Sequence, residues 1–180
     1  MNPELRLRLG WIAVVLLFAA AAALLYVDVG RFRSGTGVRY GRATLGAPAP
    51  NVMFDTLDGS KRPLRASFGK PLIVNFFATW CVPCKAELPL IESRYVRLRP
   101  QGLTVLGVDE QETAKAVRAF TRAHGVTYPL VIDSAGSAFD VYAGHAIPTS
   151  LFIDRNGVLR AVHVGYLTAD ILDDELTKIM

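Results

Sequence analysis

Cys81 and Cys84 stand in the run Trp80-Cys81-Val82-Pro83-Cys84-Lys85 and are the two cysteines of a 180-residue chain. A disulfide spanning two intervening residues closes a very small ring and stabilises little, because the gain from closing a loop grows with its length. Such a pair is suited to opening and closing. A strand-like run, Leu72 to Ala78, leads into it and a helical pattern follows, so the first cysteine falls at a helix N-terminus. There the unpaired backbone N–H groups and the helix dipole favour a thiolate. Cys81 is therefore the candidate nucleophile, which attacks a partner disulfide to give a mixed disulfide. Cys84 is the candidate resolving thiol, which attacks that bond and releases the reduced partner. Two electrons move, and no cofactor is needed beyond the redox-active disulfide Cys81-Cys84. Half of a zinc site is the other common use of this motif, but zinc takes four ligands and the chain has no second cysteine pair.

The surrounding pattern must hold this motif in place. Val52, Phe54 and Leu57, the turn Asp58-Gly59, then Pro63 and Leu64 predict a short hairpin. Strands are expected at Leu72 to Ala78, Leu103 to Val108, Tyr128 to Ile132, Ser150 to Ile153 and Leu159 to Val164. Asp154-Arg155-Asn156-Gly157 turns between the last two. Helices are expected at Pro83 to Leu98, Glu112 to His124, Ala135 to Tyr142 and Thr168 to Ile179. Alternating strands and helices, closed by a hairpin and a helix, predict an α/β fold with a mixed central sheet flanked by helices.

Residues 11–27 contain no charge and no proline, and at about 1.5 Å per residue they approach a hydrocarbon core of roughly 30 Å. Two roles fit this transmembrane helix: a retained signal anchor, or a secretory signal peptide cut among the alanines. Continuation of the run to Val27, with Trp11 and Tyr26 at its ends, favours the anchor. The expected organisation is a basic tail at 1–10, the anchor at 11–27, a flexible Arg/Gly-rich linker at 28–45 and one domain at 46–180. The net charge of +4 comes from the N-terminal portion, while residues 44–180 carry equal numbers of basic and acidic side chains. A neutral domain offers no basic face for phosphates, so no nucleic-acid partner is expected. Lys and Arg around the span number two before it and four after it, which by the positive-inside rule would leave the domain in the cytoplasm.

The motif Trp80-Cys81-Val82-Pro83-Cys84-Lys85, Pro89 and Ile147-Pro148-Thr149 resemble the thioredoxin superfamily. Gly46-Ala47-Pro48-Ala49-Pro50, Gly69-Lys70-Pro71, Asn75-Phe76-Phe77-Ala78-Thr79-Trp80 and Glu87-Leu88-Pro89 narrow the resemblance to the ResA/TlpA group of membrane-anchored thiol-disulfide proteins. The resemblance runs from about residue 46 to the C-terminus. It implies a thioredoxin-like fold with an extra N-terminal β-hairpin, and extracytoplasmic disulfide reduction, often of apocytochrome c.

It also implies roles. Pro148 would be cis and lie beside the CxxC, with Ile147 and Pro148 forming the substrate-docking edge and Thr149 supporting it. Ordinary thioredoxins hold a buried aspartate where this chain has Asn75, which cannot titrate. Glu87 lies three residues after Cys84 on the same helical face, and partial burial would raise its pKa into a range suited to trading a proton with the thiol. Trp80 would wall the cysteine pocket, and Pro83 would set the first helical turn without removing a needed donor. Pro89 is expected to kink the helix. His124 reads as a helix-end residue and His163 as a strand residue, while His145 is the one histidine near the site.

Two other classes compete. A thiol peroxidase shares the Ala-Pro start and the Gly-Lys-Pro approach, but Trp80 and the CxxC stand where its Pro and Thr/Ser pattern would be. A Sco-like copper delivery protein has three residues between its cysteines and a distant histidine. For location, the resemblance overrides the charge count: the short basic tail resembles a signal's n-region. The expected setting is the cytoplasmic membrane, single-pass, with the domain on the periplasmic side, a membrane thiol donor supplying electrons and the lipid bilayer holding the N-terminal helix.

Overall fold

A computed structural model of the protein describes residues 39–142 and 146–180. The expected tail and membrane segment, most of the linker, and His145 lie outside the described residues. The strands are β1 (Arg39–Tyr40), β2 (Ala43–Thr44), β3 (Met53–Thr56), β4 (Lys61–Pro63), β5 (Leu72–Phe77), β6 (Thr104–Glu110), β7 (Leu130–Asp133), β8 (Thr149–Ile153) and β9 (Leu159–Val164). The α-helices are α1 (Val82–Leu98), α2 (Ala114–His124), α3 (Ser137–Tyr142) and α4 (Ala169–Thr177).

Seven strands form one sheet in the order β4-β3-β7-β6-β5-β8-β9. β5 runs parallel to β6 and antiparallel to β8, and β6 runs parallel to β7, so the sheet is mixed as the sequence predicts. All six residues of β5 are buried, which explains its unbroken apolar reading: a central strand covered on both faces has no polar side. Its alternation splits the core in two. Ile73 and Phe77 join the cluster under α1, α2 and α4, with Val117, Phe120, Leu172 and Leu176. Leu72, Val74 and Phe76 join the opposite cluster, with Phe54, Ala138 and Tyr142. Asn75 shares the parity of Ile73 and Phe77 and so faces α1. The expected hairpin is β3–β4, in the register Met53↔Pro63, and β3 extends the sheet by pairing antiparallel with β7.

Helix starts follow capping chemistry. Thr113 accepts the Ala116 N–H at α2, and Thr168 accepts the Ile171 N–H at α4. The third expected helix begins two residues later than its pattern suggests. Gly136 is left-handed at φ 67°, and the Asp133 carboxylate accepts the N–H groups of Ala138 and Phe139 at 2.8 Å, which fixes the start at Ser137. α1 continues through Pro89.

The linker expectation is corrected at its C-terminal end. Residues 39–44 form a small antiparallel hairpin rather than free chain, and Ala43 is wholly buried. The Arg42 N–H donates to Val141 O at 2.9 Å, and the Gly46 N–H to Leu159 O at 2.8 Å. The hairpin is too short to show a hydrophobic period, and its core contribution comes from one alanine, so composition alone reads it as tether.

Candidate active site

The site lies where β5 ends and α1 begins. Cys81 is the N-cap of α1, and its sulfur accepts the Cys84 N–H at 3.2 Å. The sulfur thus takes the place that a Ser or Asp oxygen fills at other helix starts, against an N–H left without a carbonyl partner. Pro83 lies in the first turn, where its missing donor leaves no gap. The Lys85 N–H closes the turn onto Cys81 O at 3.1 Å. Cys81 and Cys84 are joined as a disulfide with Cα atoms 5.3 Å apart, and both are buried. Trp80 and Val82, which flank Cys81, are 68% and 72% exposed. The disulfide is therefore recessed beneath an exposed apolar rim, with Trp80 on that rim.

Glu87 is more deeply placed than the sequence suggests: it is 0% exposed. It stands one turn beyond Cys84 on the same face of α1. Its Oε1 accepts Asn75 Nδ2 at 2.8 Å, and its Oε2 accepts the Leu167 N–H at 2.9 Å. Burial pushes the Glu87 carboxyl up to about 7, against the lowering effect of those two donors. A carboxyl with its midpoint there can hold or release a proton at neutral pH, which is the property a thiol's proton partner needs. Asn75 also donates to Ser150 Oγ at 2.9 Å, while its Oδ1 is buried without a donor among the described residues. Ser150 is a site residue the sequence reading missed. It lies opposite Asn75 in the β5–β8 register, so strand pairing was the signal that could have found it.

The Ile147-Pro148 peptide bond is cis. Thr149 Oγ1 donates to Ala146 O at 2.7 Å across that corner, and the Gly165 N–H donates to Pro148 O at 2.8 Å. Ile147 packs against both core clusters and is half-buried. Glu112, read only as the first residue of a helix, instead precedes α2 and reaches back to the approach to the cysteines. Its carboxylate accepts the Thr79 N–H at 2.5 Å and the Thr79 hydroxyl at 2.7 Å. His124 ends α2 stacked on Phe120 at 4.2 Å, and His163 lies in β9.

The comparisons with known proteins agree with this geometry. The family described as AhpC/TSA matches residues 45–162. The thiol-disulfide oxidoreductase ResA of Geobacillus thermodenitrificans is 30% identical over 179 residues, covering 99% of each chain. The ResA of Bacillus anthracis is 33% identical over 135 residues, covering 75% of this chain and 78% of its own. Among solved structures, a putative thiol:disulfide interchange protein DsbE from Chlorobium tepidum superposes with a TM-score of 0.69 at 25% identity, over 75% of this chain and 96% of that one. StoA from Bacillus subtilis superposes at 0.59 with 28% identity, over 72% of this chain and 98% of that one. A thioredoxin-like sheet, a CxxC at a helix start and full-length similarity to ResA proteins lead to one assignment: the chain belongs to the AhpC/TSA family, as a thiol-disulfide oxidoreductase of its ResA-type branch.

Proposed function

We propose that this oxidoreductase is tethered to the cytoplasmic membrane by residues 11–27, works on the extracytoplasmic side, and reduces disulfides of client proteins such as apocytochrome c. Cys81 attacks the client disulfide as a thiolate and forms a mixed disulfide, and one client sulfur leaves as a thiolate. Cys84 passes its proton to the Glu87 carboxylate and attacks Cys81 Sγ, which re-forms Cys81–Cys84 and releases the second client sulfur. The two client thiolates take up protons, and a membrane thiol donor returns two electrons to the pair. Trp80, Ile147, Pro148 and Thr149 seat the client strand beside Cys81, while Asn75 and Pro83 support the pair from below and from the first helical turn.

The observation that carries this reading is the wholly buried Glu87 one helical turn from Cys84, held by Asn75 rather than facing solvent. The apolar run at 11–27 supports the tether, and similarity to thiol-disulfide oxidoreductases named ResA supports exchange with client disulfides.

The test is reduction by the dithiol form of the full chain of an oxidised peptide with two cysteines two residues apart, followed at neutral pH. The peptide is expected to be reduced much faster than hydrogen peroxide is consumed. Faster consumption of peroxide would favour a thiol peroxidase and overturn the reading. A reporter fused after Met180 reads location separately, and activity of a cytoplasm-only reporter there would overturn the periplasmic assignment.

A further inference from the structure

We propose that Asp109 and Glu112 form a proton-sharing carboxyl pair that clamps Thr79 and thereby sets the position of Trp80 and Cys81, making both acids positioning residues for the exchange step. The inference concerns the exchange itself and does not depend on the client, the tether or the side of the membrane.

The clamp is built from consecutive contacts. Phe77 ends β5 opposite Asp109 near the end of β6, so the chain leaves the sheet beside that aspartate on its way to Cys81. Glu112 then holds this departing segment by both donors of Thr79, the N–H at 2.5 Å and the hydroxyl at 2.7 Å. Two charge-assisted bonds to one residue fix both the backbone and the side chain of the residue two before Cys81. Asp109 holds Glu112 in turn: its Oδ1 accepts the Glu112 N–H at 3.0 Å. Among the described residues its Oδ2 is buried with no donor to receive, and the Glu112 carboxylate is the charged group that acts on Asp109.

Two carboxylates facing each other at a wholly buried aspartate cannot both hold a charge cheaply, and one proton between them turns the repulsion into a hydrogen bond. The donors already spent on Glu112 decide which acid carries the proton. Burial works to raise Glu112, but the Thr79 donors and Asp109 outweigh it and leave it lowered. Burial and the adjoining Glu112 push Asp109 up to about 8. At neutral pH the proton therefore sits on Asp109 and is donated to Glu112, and Glu112 keeps its charge for Thr79.

The titratable groups around Asp109 are few. Its strand neighbours, Phe77 on β5 and Ile132 on β7, bring none. The cysteines of α1 are locked as a disulfide. Glu110, the next residue on β6, is itself pushed up to about 8 by burial and by the charges of Asp133, Asp109 and Asp140. Among the described residues Glu110 and, on α1, Glu87, pushed up to about 7, titrate in an overlapping range, and the experiment must separate them from Asp109.

Trp80 adjoins Thr79 and is exposed, so its fluorescence reports the clamp. The oxidised full chain, carrying Trp11→Phe so that Trp80 is the one indole, is titrated in detergent between pH 6 and 10. A step with its midpoint near pH 8 is expected. Asp109→Asn, which keeps a donor toward Glu112 but cannot titrate, should abolish the step, whereas Glu110→Gln and Glu87→Gln should each keep it. In the reduced protein, exchange with a small aromatic disulfide at pH 7 should slow about tenfold in Asp109→Leu, with most of that loss recovered in Asp109→Asn, since misplacement of a reacting group carries penalties of that order. A step retained in Asp109→Asn, or no step in the parent, would overturn the proposal. So would an asparagine variant no faster than the leucine one. Should Asp109→Leu fail to fold, the asparagine titration alone decides.

Discussion

Asn75 Nδ2 donates to Glu87 Oε1 at 2.8 Å, joining strand β5 inside the sheet to the helix that begins with the CxxC. The contact brings the residue that stands where ordinary thioredoxins hold an aspartate against the residue proposed to take over its proton. Asn75 can donate at every pH, so it holds the glutamate without competing for its proton.

Replacing that donor by an acid should change the titration. In Asn75→Asp two carboxyls would face each other in the core, and one proton would be shared between them. The upper of the two apparent midpoints is expected above the value of about 7 to which burial pushes Glu87 alone. The pH–rate profile of disulfide exchange should move alkaline with it, and an unmoved profile would count against the contact.

Glu87→Gln removes the proton partner while keeping the shape of the side chain. Exchange at pH 7 should slow by about ten- to a hundredfold, at or just below the usual contribution of a positioned acid or base. The inflection near pH 7 should vanish from the profile. Retention of that inflection would remove Glu87 from the proposed mechanism.

Stability should carry the same signature in the oxidised protein. The folded pKa of Glu87 is raised, so the unfolded chain binds fewer protons between pH 4.5 and 7, and stability falls as pH rises through that window. A shift of this size corresponds to about 3 kcal/mol lost by pH 7.5 relative to pH 4. Glu87→Gln should remove that share of the fall and leave the share carried by Asp109 and Glu110, as read from urea midpoints across the range.

Cys84→Ser should form a persistent mixed disulfide through Cys81, because the resolving sulfur is gone. Cys81→Ser should abolish exchange with external disulfides, since the remaining Cys84 is fully buried. Mass spectrometry of each variant after incubation with an oxidised peptide reads both outcomes. An adduct on Cys84 in Cys81→Ser would reverse the assignment.

Gly41 tests the start of the domain. It sits at φ 57°, and a Cβ there would lie 2.6 Å from Val141 O and 2.7 Å from Asp140 O. Both neighbours are backbone and cannot swing aside. Gly41→Ala should therefore cost about 2 kcal/mol, combining a left-handed conformation with an overpacked contact. The thermal midpoint should fall accordingly, and an unchanged midpoint would return residues 39–44 to the linker.

Much of this was legible beforehand because the central strand and the motif are local signals. Leu72 to Phe77 is apolar throughout, the CxxC lies at the expected helix start, and the hairpin turn at Asp58-Gly59 is explicit in its residues. Pro148 and Glu87 were found through resemblance, since neither spacing nor composition distinguishes a cis proline from a turn or a buried glutamate from a solvated one. Ser150 and the Asp109–Glu112 pair depend on strand register and on a loop folding back over the sheet, which are long-range matters. Consecutive acids just past the expected strand Leu103 to Val108, Asp109-Glu110, were the available hint. The short hairpin at 39–44 escaped for the opposite reason: its order comes from a few backbone bonds rather than from side chains.

The loop between β9 and α4 touches the site twice, through the Gly165 N–H on Pro148 O and the Leu167 N–H on Glu87 Oε2. Both cysteines are present in the growing chain long before these amides exist. A chain ending ahead of Gly165 would own its dithiol but neither the hydrogen bond that steadies Pro148 nor the donor that holds the glutamate. Full command of the sulfurs thus waits on the β9–α4 loop, which is made well after both cysteines.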